Sequence, residues 1–331
     1  TGRQQGETLA AEEPLTAGPA KGADLIVWGE TSVSYYLPRY PAMLRKLERL
    51  SAADHAQILV NQDARNARGA VSKAAVLIGP GGIDGTYVKT RLVPFGEYIP
   101  FRSVLGWLAK ISKAAPQNIV PGTGAHVLHA RLPDGRRLTI GVLICFESAF
   151  PDMSRVDADQ GARLMIYQTS DSTFQGTWAQ PQHASLAAVR AAETGRPAVQ
   201  AALTGDSAAF DARGRLIAWA GPSFRGVLRV SVGLPPGSSR TIYDDLGEWA
   251  PWTATGIVVL AALIGIGRSE RTRRLRPGRP RPADEARNER NQDAADVSAV
   301  GVPAKKARAG GGLEAGDGAA ASQAGSRQPE P

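Results

Sequence analysis

The chain has 331 residues and a formal net charge of +8, from 39 Lys and Arg against 31 Asp and Glu, with four His and one Cys. A single thiol cannot close an internal disulfide, and His55, His126, His129 and His183 have no metal-ligand spacing, so a disulfide scaffold and a zinc module are both excluded. Much of the basic excess lies in Arg268, Arg271, Arg273, Arg274, Arg276, Arg279 and Arg281, near the end of the chain. A nucleic-acid footprint would be expected on the fold itself, so the charge reads as membrane topology and tail composition.

Residues 1–22 are a polar, Gly/Ala-rich lead-in with a short helical signal near Gly6 to Glu13. The first apolar run, Ala23 to Thr31, reads as a strand ending on Glu30. A helix from Pro41 to His55 follows, with Met43, Leu44, Leu47 and Leu50 on one face. Strands are expected at Ile58–Asn61 and Ala74–Ile78, the second ending in the turn Gly79-Pro80-Gly81-Gly82, and again at Gly85–Lys89. Phe101 to Ala114 places Phe101, Val104, Leu105, Leu108 and Ile111 on one helical face with Trp107 beside it and Lys110 and Lys113 at its end. Two readings are open: a segment dipping into a membrane interface, or a helix packing on the core.

Further strands are expected at Thr139–Cys145, Leu164–Gln168, Ala198–Leu203, Ser207–Asp211 and Leu216–Trp219, with Asp211-Ala212-Arg213-Gly214 as a hairpin turn. Gln180 to Gly195 reads as a helix stopped by Gly195-Arg196-Pro197, with Arg190 and Glu193 a structural pair on its surface or bracing the site loop, and His183 a surface or capping residue. Strands alternating with helices argue for α/β, and the late hairpins for mixed sheets. Trp249 to Gly267 then carries no charged side chain and, at roughly 19 residues, is about the minimum length for a helix crossing a bilayer. A buried core helix is the alternative.

Cys145 closes one of the apolar runs, where a strand opens into a loop. Buried small hydrophobe and nucleophile are both open to a free cysteine. Glu30 and Lys89 also stand at strand-to-loop transitions, and a thiol needs a base for its proton and a cation for its thiolate and the developing oxyanion. These two would supply both.

Glu30, Lys89 and Cys145, in this order and in these local sequences, resemble the triad of the nitrilase superfamily. The stretch Lys89-x-x-Leu92-Val93-Pro94-Phe95-Gly96-Glu97-Tyr98-Ile99-Pro100 is narrower and resembles the apolipoprotein N-acyltransferases. The likeness runs from about Ala23 to Trp252. Gly29, Phe146 and Ser170 to Phe174 depart from the pattern of that family and leave the triad untouched; the changes at Phe146 and Thr173 bear on acyl-chain and headgroup contacts more than on the chemistry.

The resemblance implies a nitrilase-like α-β-β-α sandwich over residues 23–248, one transmembrane helix over 249–267, and a basic, then low-complexity and disordered, cytoplasmic tail over 268–331. It implies a chain that lacks the family's N-terminal membrane helices and stands in a bacterial inner membrane, multi-pass at full length, its catalytic domain on the periplasmic or outer face. Glu30 would be the general base, Lys89 the electrostatic partner and Cys145 the nucleophile, with Glu97, the Phe146 N–H and Glu147 in support. Trp107, Phe174 and Trp178 would meet substrate. The expected partners are a phospholipid acyl donor, a diacylglyceryl lipoprotein acceptor and the membrane, acting on a monomer with no cofactor, metal or nucleic acid. A nitrilase-type amidase and a catalytically silent, membrane-tethered binding domain are the alternatives. A covalent acyl adduct separates the second from the rest.

Overall fold

The structure, a computed structural model, describes residues 11–65, 69–107 and 119–274. It divides into two units, residues 1–260 and residues 261–331. In the first, the described strands form two sheets. One holds β1 (Leu25–Val27), β2 (Gln57–Arg65), β3 (Val71–Gly79) and β4 (Gly82–Val88) in that spatial order. β1 and β2 run parallel, joined through the helix α1 (Pro41–Asp54), and β2, β3 and β4 run antiparallel.

A single helical turn, α2 (Arg102–Leu105), precedes the second sheet. That sheet contains β5 (Leu128–Arg131), β6 (Arg137–Ile144), β7 (Leu164–Thr169), β8 (Ala198–Ala202), β9 (Ser207–Phe210) and β10 (Leu216–Ala220), ordered from β10 at one edge to β5 at the other. Its centre, β6, β7 and β8, is parallel, and its flanks are antiparallel. The parallel crossovers are the helices α3 (Pro151–Asp159) and α4 (Ala179–Thr194).

The period of two along β2 and β3 builds the sandwich. Leu59, Ala75 and Leu77, with Tyr87 of β4, face the second sheet and share one core with Ala130, Leu138, Ile140 and Val142. The alternate residues Ile58, Val60, Ala74, Val76 and Ile78 pack instead with Leu47 of α1. Behind the second sheet, Met153 of α3 and Ala184, Ala187 and Ala191 of α4 complete the α-β-β-α layering. Each fully buried Leu or Ile in these layers contributes about 1.5–3 kcal/mol. All six residues of β7 are buried, as expected of a parallel strand covered on both faces.

The expected sandwich is thus the observed fold. β5 and α3 were absent from the sequence-based expectation, and β2 and β3 run further than expected, to Arg65 and back to Val71. A short helix, α5 (Ile242–Leu246), is capped by Thr241, which accepts from the Asp244 N–H. The last described element is α6 (Trp249–Arg274), which runs past the expected end at Gly267. Arg is a good helix former, so nothing there stops the helix. Among the described residues it is the one helix long and apolar enough to cross a membrane, and none of Trp249–Arg268 is buried. The segment expected to be helical to Ala114 is described only to Trp107; Leu108, Lys110, Ile111 and Lys113 lie outside the described residues, as do residues 1–10 and the tail from 275.

Candidate active site

Three strand ends meet between the sheets. The chain leaving β1 is pinned to both of them: Trp28 N–H donates to Leu59 O at 2.9 Å, Glu30 N–H to Thr169 O at 3.1 Å, and Thr31 N–H to Asn61 Oδ1 at 3.0 Å. Gln168, buried on β7, closes the network by donating to the Trp28 carbonyl at 2.8 Å. A side-chain carbon at Gly29 would strike the backbone of Leu203, so only glycine fits this crossing. These constraints deliver the Glu30 side chain, 2 % exposed, into the space between the sheets.

Lys89 follows the last residue of β4 and extends the pairing, its N–H donating to Lys73 O at 2.9 Å. It therefore shares the inward face of Tyr87, and its side chain is fully buried. Cys145 follows β6 and opens a tight turn over Cys145–Ala149. Its φ of 53° lies in the left-handed region, which costs a non-glycine residue on the order of 1 kcal/mol or more and persists only where the surroundings impose it. Glu147 is one group that holds the turn. Fully buried, it accepts through Oε1 from Tyr87 Oη at 2.8 Å, Thr90 N–H at 2.7 Å and Arg91 N–H at 2.9 Å, and through Oε2 from Ile144 N–H at 2.8 Å. One carboxylate thus ties the Cys145 turn to the loop carrying Lys89.

The charged groups are tightly interleaved. Lys89 Nζ lies 2.8 Å from Glu97 Oε1 and 3.5 Å from Glu30 Oε1. Burial alone would push the Glu30 carboxyl up, but Lys89 and Lys73 overcome it and hold the group below its usual range, with a hydrogen bond to Cys145 acting the same way. Burial would pull the Lys89 ammonium down, yet Glu30, Cys145 and Glu97 keep it raised and charged. The resting thiol is the mirror image: burial and then the Glu30 charge push it up to about 12, against Lys89 and Thr169. At neutral pH the arrangement is carboxylate, ammonium and protonated thiol in contact. It can pass one proton from sulfur to Glu30 as a C–S bond forms, and Lys89 can face the oxyanion that results.

The structure therefore brings together Glu30, Lys89, Cys145, Glu97 and Glu147. The N–H of Phe146 stands in the first turn after Cys145, where backbone donors lack an intrahelical acceptor. Its ring stacks edge-on against Phe150 at 4.9 Å. Trp107, Phe174 and Trp178 are more than half exposed and stand outside this buried cluster.

Two residues of the site were not read as such from the sequence. Lys73 of β3 places Nζ 2.7 Å from Glu30 Oε1, closer than Lys89 does. His183, expected on the surface or at a cap, instead reaches the Cys145 turn from α4. Its Nε2 lies 3.2 Å from the Cys145 carbonyl oxygen and its Nδ1 2.7 Å from Asp171 Oδ1. Cys145, Asp171 and His183 have donor atoms within 4.8 Å of one another. They form a hydrogen-bonded set rather than a ligand set, because Nε2 faces a carbonyl oxygen and Nδ1 already has its carboxylate. Arg190 and Glu193 pair at 2.8 Å on α4, with Arg190 buried rather than on the surface.

Residues 3–235 match the carbon-nitrogen hydrolase family. The chain is similar to apolipoprotein N-acyltransferases of Geobacter metallireducens, 33 % identical over 78 % of this chain and 50 % of that protein, and of Rhizobium meliloti, 35 % identical over 76 % and 48 %. It spans about half the length of these curated relatives. Among solved structures it resembles an amidase from Nesterenkonia sp., 20 % identical over 66 % of this chain and 81 % of that one, with a TM-score of 0.48. By the extent of that family match, the chain is a member of the carbon-nitrogen hydrolases.

Proposed function

We propose that this chain carries the catalytic domain of an N-acyltransferase that moves an acyl chain from a phospholipid to the N-terminal amine of a diacylglyceryl-cysteine lipoprotein. The observation that carries the reading is the strained Cys145 held against an ionised Glu30 and a charged Lys89. The similarity to curated apolipoprotein N-acyltransferases supports the choice of substrates.

In the first half-reaction Glu30 takes the thiol proton as Sγ attacks the ester carbonyl carbon of the phospholipid. Lys89 and the Phe146 N–H stabilise the oxyanion. The C–O bond breaks, the leaving alkoxide takes the proton back from Glu30, and a lysophospholipid departs from the thioester. In the second half the lipoprotein amine attacks the thioester carbonyl, Glu30 takes the amine proton, the C–S bond breaks and the proton returns to sulfur. A thioester stays reactive toward an amine where an ester would be less so, which is the chemical reason for sulfur at this position. Glu97 keeps Lys89 aimed at the reacting centre. Trp107, Phe174 and Trp178 are exposed aromatic groups suited to lipid contact.

In this reading α6 crosses the bacterial inner membrane, with Trp249 and Trp252 at one interface and the arginines from Arg268 onward on the cytoplasmic side, so the catalytic domain faces outward. The enzyme acts as a monomer. The test is intact-mass detection of an acyl adduct on the full chain with phosphatidylethanolamine, followed by its discharge to a diacylated lipopeptide. Wild type should gain and then lose one acyl chain, and Cys145→Ala should gain none. An adduct discharged by water at the same rate with or without lipopeptide would replace this reading with an amidase-type hydrolase. Full transferase activity in Cys145→Ala would end both.

A further inference from the structure

Lys73 adds a second ammonium to the space occupied by Lys89. β3 pairs with β4 so that Ala74 stands opposite Val88, and the register carried one residue on sets Lys73 opposite Lys89. On its other side Lys73 pairs with Asp63 of β2. Asp63, Lys73 and Lys89 thus form a row across three strands on the inward face. Two lysines directly opposite each other repel. Carboxylates reconcile them: Lys73 Nζ lies 2.7 Å from Glu30 Oε1, 3.5 Å from Glu97 Oε1 and 3.7 Å from Asp63 Oδ2.

Without Lys73, Glu30 and Glu97 would share the single ammonium of Lys89 in a buried place. Two carboxylates sharing one site drive one of them to keep a proton, and a protonated Glu30 cannot accept one from Cys145. Both lysines make their nearest approach to the same oxygen, Oε1.

We propose that Lys73 is a positioning residue of the site, which keeps Glu30 ionised and anchored through Oε1 so that its other oxygen receives the Cys145 proton. The inference rests on the reading of Glu30 as general base. The state of Lys73 agrees with it: burial pulls the ammonium down, but Glu30, Asp63 and Glu97 together raise it. The charged and titratable groups that act on Glu30 are Asp63 from β2, Lys73 from β3, Lys89 after β4, Cys145 after β6 and His183 from α4, and Glu97 from the loop after Lys89 pairs with both lysines.

Two measurements on the full chain in detergent test it. The first is the pH profile of Cys145 alkylation by iodoacetamide, which needs no lipid and whose acid limb follows the ionisation of Glu30, the base that takes the thiol proton; the second is acyl-enzyme formation from phosphatidylethanolamine across the same pH range. Lys73→Met and Lys73→Gln should move the alkylation midpoint up by a pH unit or more and slow acylation at pH 7 at least tenfold. Lys73→Arg should keep the midpoint and stay within threefold of wild type. Unchanged midpoints in the two neutral variants overturn the proposal. So does recovery of both only as unfolded protein, since Lys73 would then serve the fold. A wild type that alkylates normally but takes no acyl chain counts against the acyl-transfer reading, while the alkylation profiles still decide the role of Lys73.

Discussion

The two sides of Cys145 hold buried glutamates in contrasting ways. On the side of the first sheet, Glu30 is 2 % exposed and partnered by side chains, two lysines and the thiol. On the other side Glu147, fully buried, spends its oxygens on three backbone N–H groups and a tyrosine hydroxyl. Equal burial leaves one carboxylate among charged side chains, where we propose a proton acceptor, and makes the other a structural tie. The partner decides: a carboxylate among ionisable side chains can exchange a proton, whereas one saturated by backbone donors cannot do so without losing the turn.

The largest effect should come from breaking the first side. Glu30→Gln keeps the shape but removes the base, and acyl-enzyme formation should fall by about 10²–10⁴-fold, the usual worth of general-base catalysis. The burst of lysophospholipid measures it, and a burst rate within tenfold of wild type would remove Glu30 from the role. Glu147→Gln should act the other way round. Its new NH2 group would face at least one backbone donor, so the expectation is a loss of about 1–3 kcal/mol in urea unfolding, the cost of a buried donor left unmade. A stability equal to wild type would erase the contrast between the two glutamates.

Asp157 sharpens the comparison, because it is a third buried carboxyl with neither kind of partner. It packs from α3 against β6 at Gly141, and neither of its oxygens is hydrogen-bonded. Burial, and then the Glu147 charge, push it up to about 8. The folded protein therefore keeps a proton that the unfolded chain releases near its ordinary value of about 4. The stability this group contributes is complete below about pH 4 and is lost as pH rises toward 8. Asp157→Asn should gain on wild type across that window, by on the order of 1 kcal/mol per pH unit at most, and run parallel to it above. Urea midpoints at several pH values measure the gap, and a constant gap would show that Asp157 is already ionised in the folded state.

Glu30, Lys89 and Cys145 were legible in the sequence because each stands at a strand-to-loop transition in a local sequence that resembles the family, and the sandwich was legible because β2, β3 and the parallel strands carry strong patterns. Lys73 was not, for a specific reason. Counting back from the Gly79–Gly82 turn sets Ile78 opposite Ile83, a register that would put Lys73 and Lys89 on opposite faces. The pairing then shifts to Leu77 opposite Gly85, so Asp84 is an extra residue, and this bulge returns Lys73 to the face of Lys89. β5 escaped because its alternation lasts only four residues. His183 escaped because its partner on the Cys145 turn is a backbone carbonyl, which no side-chain pattern announces.

His183 also gives the smallest and most local test of the second-sheet side. Its Nε2 faces the Cys145 carbonyl oxygen and its Nδ1 faces Asp171 Oδ1, with Thr169 Oγ1 at 3.3 Å. All three neighbours can accept, so both contacts are satisfied at once only when both ring nitrogens carry protons. Burial pulls the imidazole down, but the Asp171 hydrogen bond and charge, the Cys145 carbonyl and Glu30 outweigh it and raise the value. A histidine raised in the folded state contributes stability that is fully present below its unfolded value of about 6.5 and is lost as pH rises through the folded one. The ring proton resonances of His183 should therefore titrate above about 6.5 in wild type. Asp171→Asn should bring the midpoint down and cost stability on the acidic side of it, by about 1 kcal/mol for every pH unit that the midpoint falls. A wild-type His183 titrating at or below about 6.5 would make it a neutral spacer, and the Cys145 turn would then rest on Glu147 alone.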